Sequence, residues 1–338
     1  MSDSDRRPSV AFVMPHGILM EVFGTAGVER ASRSGRLVHP PIETVELLAN
    51  EHPWTREVEV LLTSWGGPVM DGAMLSRFPN LKGVFYGAGS SKRMTTPEFW
   101  ARDILLTTAA AANAVPVAEY SVAAMVMGLK QAWASDRRTR DTKTFSRRPF
   151  EPEGLYGSRV GLVSLGLIGR LVRERLRAYD VDVVAYDPFV SVETFQRLEI
   201  KPLSLEELFS TSSVVSIHTP VLPETKGLVT AELVASMKTN ATLINTARGV
   251  LVKEEEVCGV LRDRPDLQAV FDVTYPEPPA PESLLYRLPN VFLTPHLAGS
   301  RGSERLRLGD AMLAEFERYC RGERLAHAVD QAQESLTA

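Results

Sequence analysis

The feature that most constrains the fold of this chain is the regular alternation of short apolar runs with helical patterns in its second half. Runs of three to six β-rich residues lie at Val160–Leu165, Val181–Tyr186, Val214–Ile217, Ala241–Asn245, Ala269–Asp272 and Val291–Leu293. Strands joined by helices run parallel, because each crossover returns the chain to the same edge of the sheet. The pattern therefore predicts a six-stranded parallel sheet with helices on both faces.

The first half of the chain shows the same alternation, which indicates a second α/β unit. Its predicted strands lie at Val10–Met14, Thr44–Leu48, Val58–Thr63, Lys82–Tyr86 and Ile104–Thr107. Helical spacing from Ala118 to Ala134 predicts a long helix that leaves this unit, and the basic segment Asp136–Arg148 is interpreted as a solvated linker. We expect two domains: residues 1–118, completed by residues 301–338, and residues 119–300.

Composition excludes several classes of protein. The 338 residues carry a formal net charge of −4, with 44% hydrophobic and 24% charged residues. This balance is typical of a soluble globular protein and gives no electrostatic reason to expect nucleic acid or a membrane surface as a partner. The segment Met1–Ser9 is polar, so we expect a disordered lead-in rather than a signal peptide. Cys258 and Cys320 have no disulfide or metal-site spacing, which predicts a cytoplasmic protein without a metal site.

A turn typical of dinucleotide binding follows the first strand of the second unit. Gly166, Leu167, Ile168 and Gly169 open a helix there, and glycine lets the backbone approach a pyrophosphate at the helix N-terminus. Ser164 stands where the usual fingerprint has its first glycine. The context of strand, turn and helix favours a phosphate-binding turn over an ordinary tight turn.

Asp187 indicates which dinucleotide is bound. It ends the second strand 21 residues after Gly166, close to the ~20 expected of an acid that accepts hydrogen bonds from ribose hydroxyls. A carboxylate repels a 2′-phosphate, and the following residues, Pro188-Phe189-Val190, supply no arginine to neutralise one. NAD is therefore predicted in preference to NADP.

Two basic side chains follow other strands of the same sheet. The planar guanidinium of Arg248 matches a carboxylate and stays charged, and His296 is the side chain best suited to protonate an alkoxide near neutral pH. Glu277 lies in a proline-rich loop after the fifth strand, and its position alone is typical of an exposed loop glutamate. These residues predict the reduction of a small keto acid by hydride transfer.

Several ordered motifs give the chain a family resemblance. It resembles the D-isomer-specific 2-hydroxyacid dehydrogenases, which include D-lactate, glycerate, formate and phosphoglycerate dehydrogenases, from about Leu81 to Val329. The strings that carry the resemblance are AAAANAVPVAEY (109–120), VGLVSLGLIGR (160–170), INTARG (244–249), FDVTYPEPP (271–279) and LTPHLAG (293–299). Ser164 and Tyr275 depart from the family pattern.

The resemblance implies two Rossmann-like or flavodoxin-like domains with parallel sheets, an active-site cleft between them, and a homodimer formed through the NAD-binding domain. It implies that Arg248 holds the substrate carboxylate, that Glu277 and His296 complete the catalytic set, and that a helix near Leu306–Tyr319 packs on the first domain. Together with the strand-end positions it predicts cofactor contacts from Gly166, Leu167, Ile168, Gly169, Asp187, His218, Thr219, Pro220, Thr246, Ala247, Arg248, Asp272, His296 and Gly299. Predicted substrate contacts come from Ala88, Gly89, Arg248 and His296.

Two other functions remain open at this point. One is an NAD-sensing protein, because the same architecture is similar to that of a transcriptional corepressor that reads nicotinamide levels. The other is a dehydrogenase of a different small acid, such as formate or phosphite. The complete set of Arg248, Glu277 and His296 favours catalysis on a 2-keto or 2-hydroxy acid.

Overall fold

Strands and helices alternate along the computed structural model, which describes residues 7–145 and 153–335. Within those residues the strands are β1 Ser9–Phe12, β2 Arg36–Leu37, β3 Val60–Thr63, β4 Gly83–Tyr86, β5 Leu105–Thr108, β6 Arg159–Val163, β7 Asp182–Tyr186, β8 Lys201–Pro202, β9 Val214–Ile217, β10 Thr242–Asn245, β11 Gln268–Phe271 and β12 Val291–Leu293. The α-helices are α1 His16–Val22, α2 Gly24–Ser34, α3 Thr44–Ala49, α4 Gly72–Arg77, α5 Pro97–Trp100, α6 Ala110–Leu129, α7 Ala132–Thr142, α8 Leu167–Leu176, α9 Val192–Leu198, α10 Leu205–Thr211, α11 Ala231–Ala235, α12 Glu254–Asp263, α13 Glu304–Cys320 and α14 Gln331–Ser335.

The chain forms two units. Among the described residues, those up to Asn113 and those from Ser300 onward form unit 1, and those from Ala114 to Gly299 form unit 2. The sequence predicts boundaries after residues 118 and 300, whereas the structure divides the units after Asn113 and Gly299. The boundary between the units therefore falls inside α6, which begins in unit 1 and continues into unit 2.

Unit 2 contains a parallel sheet in the order β12-β11-β10-β9-β6-β7-β8. All six predicted strands are present, and the two-residue β8, which pairs with β7, adds a seventh. Strand order reverses at β6, which pairs with both β7 and β9, and such a reversal opens a crevice for ligands in parallel α/β sheets. Most of these strands are buried on both faces, as their continuous apolar sequence predicts. Ser191, Ser204 and Thr230 cap the short helices α9, α10 and α11.

Unit 1 contains a parallel sheet in the order β2-β1-β3-β4-β5. Side chains alternate across it, so that Val10 and Phe12 join the core beneath α13 while Ala11 lies in the core on the opposite face. The helix α13 supplies Leu313 and Phe316 to the first of these cores. The predicted α/β fold with two parallel sheets is thereby confirmed.

One predicted strand is wrong, because Thr44–Leu48 lies within helix α3. The sequence predicts this strand only as one of the short β-rich runs that alternate with helical patterns. Only Leu47 is buried, whereas Val45 and Leu48 are exposed, so the segment does not present the buried face that a strand requires. Glutamate, leucine and alanine favour a helix when packing does not decide. The second strand of unit 1 is instead the short β2.

The long predicted helix is also placed differently. Helix α6 begins at Ala110, eight residues before the predicted start, and ends at Leu129. A second helix, α7, then covers Ala132–Thr142, so much of the segment interpreted as a linker is helical and has no buried residue. Arg147 and Arg148 of that segment, and residues 1–6 of the predicted lead-in, lie outside the described residues.

Helix α6 is apolar along most of its length. Of the helices in residues 7–145 and 153–335, it alone is long and apolar enough to cross a membrane by those two criteria. Ala118 and Met125 of α6 lie in a core cluster of unit 2 together with Leu162 of β6. Buried core helices meet the same criteria, so the composition of α6 follows from its packing.

Candidate active site

The predicted cofactor and catalytic residues of unit 2 share one edge of its sheet. Gly166–Gly169 follow β6, Asp187 follows β7 and His218 follows β9. Thr246–Arg248 follow β10, Asp272 and Glu277 follow β11, and His296 follows β12. Since all these strands are parallel, each of these positions lies at the carboxyl edge, where open α/β sheets bind ligands.

His296 and Glu277 form a direct pair at this edge. The His296 Nδ1 atom lies 2.6 Å from Glu277 Oε1, and the two side chains are 45% and 44% exposed. A carboxylate at Nδ1 accepts a hydrogen bond from the Nδ1–H group, so that Nε2 is the ring nitrogen suited to exchange a proton with a ligand. The backbone of His296 has a φ of +49°, a conformation uncommon for a residue with a side chain.

Asp272 holds the loop that carries His296. It is buried, and its Oδ1 accepts hydrogen bonds from the Thr294 hydroxyl at 2.7 Å and from the Leu297 N–H at 2.8 Å. Its Oδ2 accepts a bond from the Ala298 N–H at 2.9 Å. The backbone N–H of His296 donates to the Asp272 carbonyl at 2.8 Å. These four bonds explain how an unusual backbone conformation at His296 is maintained, and the predicted contact of Asp272 with the cofactor stays a prediction.

Arg248 is positioned by a turn that its neighbour Asn245 stabilises. The Asn245 side chain accepts a hydrogen bond from the Ala247 N–H at 3.0 Å and donates to the Arg248 carbonyl at 2.9 Å. Gly249 is required next, because a Cβ there would lie 2.0 Å from the backbone carbon of Thr274. The Arg248 turn thus packs against the loop that leads to Glu277. Sequence reasoning did not single out Asn245, although it lies within the INTARG motif.

The turn after β6 has the geometry of a phosphate site. A Cβ on Gly169 would lie 2.3 Å from the Ser164 carbonyl oxygen, so only glycine allows helix α8 to approach β6 this closely. Gly166 is exposed, has open space around its Cα, and caps α8 without a side-chain hydrogen bond. The backbone N–H groups of the first turn of α8, which includes Leu167 and Ile168, therefore face a position suited to an anion.

Asp187 is anchored beside this turn. Its Oδ2 accepts hydrogen bonds from the Leu165 N–H at 2.8 Å and the Ser164 hydroxyl at 3.1 Å, and its Oδ1 accepts one from the Phe189 N–H at 3.0 Å. These bonds hold the Asp187 carboxylate next to the predicted pyrophosphate position. A ribose hydroxyl of the dinucleotide would bind to this carboxylate.

Within the described residues, His218 offers unpaired polar atoms at the carboxyl edge of the unit 2 sheet. Its ring is buried, and neither ring nitrogen has a hydrogen-bond partner in the described protein. Burial lowers the pKa of His218 to about 4, so the ring is neutral at pH 7. A Cβ on Gly169 would lie 3.8 Å from the His218 Cβ, so the His218 side chain begins next to the turn after β6. Buried polar atoms normally have partners, so a ligand group at this edge would satisfy them.

The remaining predicted cofactor residues of unit 2 flank the same edge. Thr219 is buried and donates to the Val163 carbonyl at 3.3 Å, and Pro220 follows it. Thr246 and Ala247 are buried at the end of β10, and Gly299 lies just past the His296 loop. The glycine turn, the anchored acid and the buried His218 together fit a dinucleotide.

Helix α6 contributes two polar side chains that sequence reasoning did not assign to the site. The Tyr120 hydroxyl lies 3.0 Å from the Thr294 hydroxyl, and burial raises the pKa of Tyr120. The Ser121 hydroxyl lies 3.1 Å from that of Thr246. Tyr120 ends the AAAANAVPVAEY string and Ser121 follows it. This string is the sequence feature that could have indicated their place in the site.

The predicted substrate residues Ala88 and Gly89 belong to unit 1, where they follow β4. Ala88 is buried and its carbonyl accepts a hydrogen bond from the Ala109 N–H at 3.0 Å. A Cβ on Gly89 would lie 3.2 Å from the amide nitrogen of Asn113, whose oxygen accepts a bond from the Ser300 N–H at 3.0 Å. The substrate role of this loop stays a prediction.

Known proteins resemble this chain in sequence. The family model of the D-isomer specific 2-hydroxyacid dehydrogenase NAD-binding domain matches residues 122–298. The D-3-phosphoglycerate dehydrogenase of Mycobacterium bovis is 32% identical over 274 residues, which are 81% of this chain and 51% of that protein. The chain therefore spans about half the length of the curated relatives it matches.

Solved structures share the fold. The D-isomer specific 2-hydroxyacid dehydrogenase of Lactobacillus delbrueckii ssp. bulgaricus, in its NAD complexed form, aligns with a TM-score of 0.77 at 20% identity, over 95% of this chain and 100% of that one. A probable 2-hydroxyacid dehydrogenase of Rhizobium etli CFN 42 in complex with NADP aligns with a TM-score of 0.74 at 22% identity, over 97% and 99%. At these identities the likeness is one of fold alone.

Proposed function

Because this chain belongs to the D-isomer specific 2-hydroxyacid dehydrogenase family and carries its NAD-binding domain, we propose that it interconverts a small 2-keto acid and its D-2-hydroxy acid. Proteins that it resembles include D-3-phosphoglycerate dehydrogenases and a D-lactate dehydrogenase of Treponema pallidum. The chain spans only about half the length of the curated relatives. The activity of those relatives is therefore proposed for this chain on the residues of its own site.

The observation that carries the proposal is the pair formed by His296 and Glu277. A histidine held by a carboxylate at Nδ1, 2.6 Å away, is the arrangement expected of a general acid and base. A protein that only senses NAD has no need of this pair. The pair also lies on the same sheet edge as Arg248, which is suited to bind a carboxylate.

Reduction of a 2-keto acid needs two additions to the carbonyl group. The hydride for the carbonyl carbon would come from NADH, which the glycine turn after β6 and Asp187 would hold. The Nε2–H of protonated His296 donates the proton to the carbonyl oxygen, so that the hydroxyl forms without a free alkoxide. Glu277 keeps the ring oriented while its charge changes. In the direction of oxidation the same Nε2 accepts the hydroxyl proton.

Arg248 orients the substrate for this transfer. Its guanidinium binds the carboxylate through charge-assisted hydrogen bonds, which also place the adjacent carbonyl group for reaction. The Asn245 side chain and the close contact of Gly249 with Thr274 hold the Arg248 turn in position. Asp272 does the same for the His296 loop.

Initial-rate measurements with a panel of acids test the proposal. NADH oxidation is followed with glyoxylate, pyruvate, hydroxypyruvate, phenylpyruvate, branched 2-keto acids and the keto acid of 3-phosphoglycerate, the substrate named by the curated relatives. NAD reduction is followed with formate and phosphite. Turnover of at least one keto acid to its D-hydroxy acid is expected. A protein that binds NADH but turns over none of the keto acids would contradict the proposal, and turnover of formate or phosphite alone would replace it.

We also propose that the chain acts as a cytoplasmic homodimer formed through unit 2. The family resemblance supports the dimer, and the two cysteines, which form no disulfide, suit a reducing compartment. Light scattering after size-exclusion chromatography measures the mass directly. A monomer at micromolar concentration would contradict the dimer.

A further inference from the structure

Ser164 has a backbone conformation that favours glycine. Its φ is +80°, in the left-handed region that residues with a Cβ seldom occupy. The dinucleotide-binding fingerprint has glycine at this position, and glycine would adopt the same φ without strain. A serine here is therefore unfavourable for the turn itself, and some other interaction has to account for it.

The Ser164 side chain makes that interaction with Asp187. The hydroxyl donates to Asp187 Oδ2 at 3.1 Å, and the Leu165 N–H donates to the same oxygen at 2.8 Å. The Phe189 N–H donates to Oδ1 at 3.0 Å. An ionised carboxylate has about four acceptor directions. Three are used by these donors, and the fourth lies on Oδ1.

We propose that Ser164 is a positioning residue for cofactor selection, which orients the Asp187 carboxylate so that the site takes NAD and rejects NADP. With Oδ2 held by two donors, the plane of the carboxylate is fixed and the remaining acceptor direction of Oδ1 receives a ribose hydroxyl. A fixed, ionised carboxylate cannot turn away from a 2′-phosphate, so the two negative groups repel each other. A glycine at position 164 would leave Oδ2 with only the Leu165 N–H.

This inference rests on NAD as the cofactor and on no particular reaction. It is therefore tested by binding. Dissociation constants of the full chain for NADH and NADPH are measured from the fluorescence of the bound reduced nicotinamide, and the NADPH-to-NADH ratio of the two constants is compared among variants.

Two substitutions separate the hydrogen bond from the backbone strain. Ser164→Ala removes the hydroxyl and keeps a Cβ at φ +80°, whereas Ser164→Gly removes both. The NADPH-to-NADH ratio should fall about tenfold in both variants, the scale of one hydrogen bond to a charged group. The Tm should be higher for the glycine variant than for the alanine variant, because only glycine relieves the strain. A purely structural role would change both dissociation constants by the same factor, so an unchanged ratio in both variants would overturn the proposal.

Two further variants show whether the effect passes through Asp187. Ser191→Ala removes a serine hydroxyl that caps α9 by accepting a hydrogen bond from the Thr194 N–H, so it should lower the Tm and leave the ratio unchanged. In an Asp187→Ala background, Ser164→Ala should have no further effect on the ratio, because a positioning residue acts only through its partner. An equal fall of the ratio in that background would show that Ser164 acts independently and would also overturn the proposal.

Discussion

The two parallel sheets are built alike but differ at their carboxyl edges. In unit 2 that edge carries ionisable side chains held by short polar contacts, such as Asp272 with its three donors and the pair of His296 and Glu277. In unit 1 the loop after β3 presents Trp65, and the Arg305 guanidinium lies 5.6 Å from its ring centroid. Arg305 also pairs with Glu21, so its charge is compensated within the unit.

The comparison teaches that a shared architecture does not determine chemistry. Both edges offer backbone turns after parallel strands, and both units have buried apolar cores on each face of the sheet. Within residues 7–145 and 153–335, only unit 2 has a glycine turn that opens a helix of ten residues beside an anchored acid. The function is therefore decided by a few residues at strand ends, as is general for folds that serve many activities.

The largest expected effect comes from removing the proposed acid of unit 2. His296→Gln should lower kcat for reduction of a keto acid by about 10²–10⁴-fold, with little change in NADH affinity, because only proton transfer is lost. His16→Gln is the matched control, since His16 follows β1 at the carboxyl edge of unit 1 and is exposed. Stopped-flow and steady-state rates measure both. An equal loss of kcat in the His16→Gln variant would contradict the proposal that proton transfer takes place in unit 2.

Arg248 should give the next largest effect. Arg248→Ala should lower kcat/KM by about 100-fold or more while NADH still binds, because a charge-assisted fork to the substrate is lost. Lysine should restore part of the activity, since it keeps the charge without the planar fork. Arg305→Ala tests the other edge with the same side chain. If the Arg305 variant alone loses substrate affinity, carboxylate binding belongs to unit 1.

His218 should make the stability of unit 2 depend on pH. Its pKa in the folded protein is lowered to about 4, below the value of about 6.5 expected when the ring is exposed. Between these values the unfolded chain binds the proton more readily, so stability is full above about pH 6.5 and is lost as the pH falls toward 4. The expected loss is about 3 kcal/mol.

Urea unfolding between pH 7 and pH 4 measures this loss. The His218→Asn variant should lose less stability than the wild type over that range, whereas His16→Gln in unit 1 should follow the wild type. Identical pH profiles for wild type and His218→Asn would show that burial of this ring does not control the acid sensitivity.

The smallest of these effects concerns cofactor choice. Asp187→Ala should narrow the preference for NADH over NADPH by about 30-fold, because it removes both the acceptor for the ribose hydroxyl and the repulsion of a 2′-phosphate. Dissociation constants for the two nucleotides measure the change. An unmodified protein that binds NADPH as tightly as NADH would refute the role of Asp187.

Much of the candidate site could be predicted because it depends on strand ends. The contact between Glu277 and His296 follows from placing both residues after neighbouring parallel strands, β11 and β12. Asn245 was not predicted, because its role depends on two backbone contacts within a turn whose geometry the sequence does not specify. Asp272 was assigned to the cofactor, and its contacts with residues 22–26 positions away became visible only in the folded loop.

The amino-acid sequence by itself determined the two parallel α/β units, the strands of unit 2 and the motifs that follow them, because periodicity and strand-to-helix turns are local properties. Tertiary structure decided what local patterns leave open. It made Thr44–Ala49 a helix, since only Leu47 finds a core to enter. It also placed Ser164 at a φ of +80° with its hydroxyl on Asp187, and it buried His218. Each of these outcomes depends on partners that are distant in the sequence and meet only when the chain is folded.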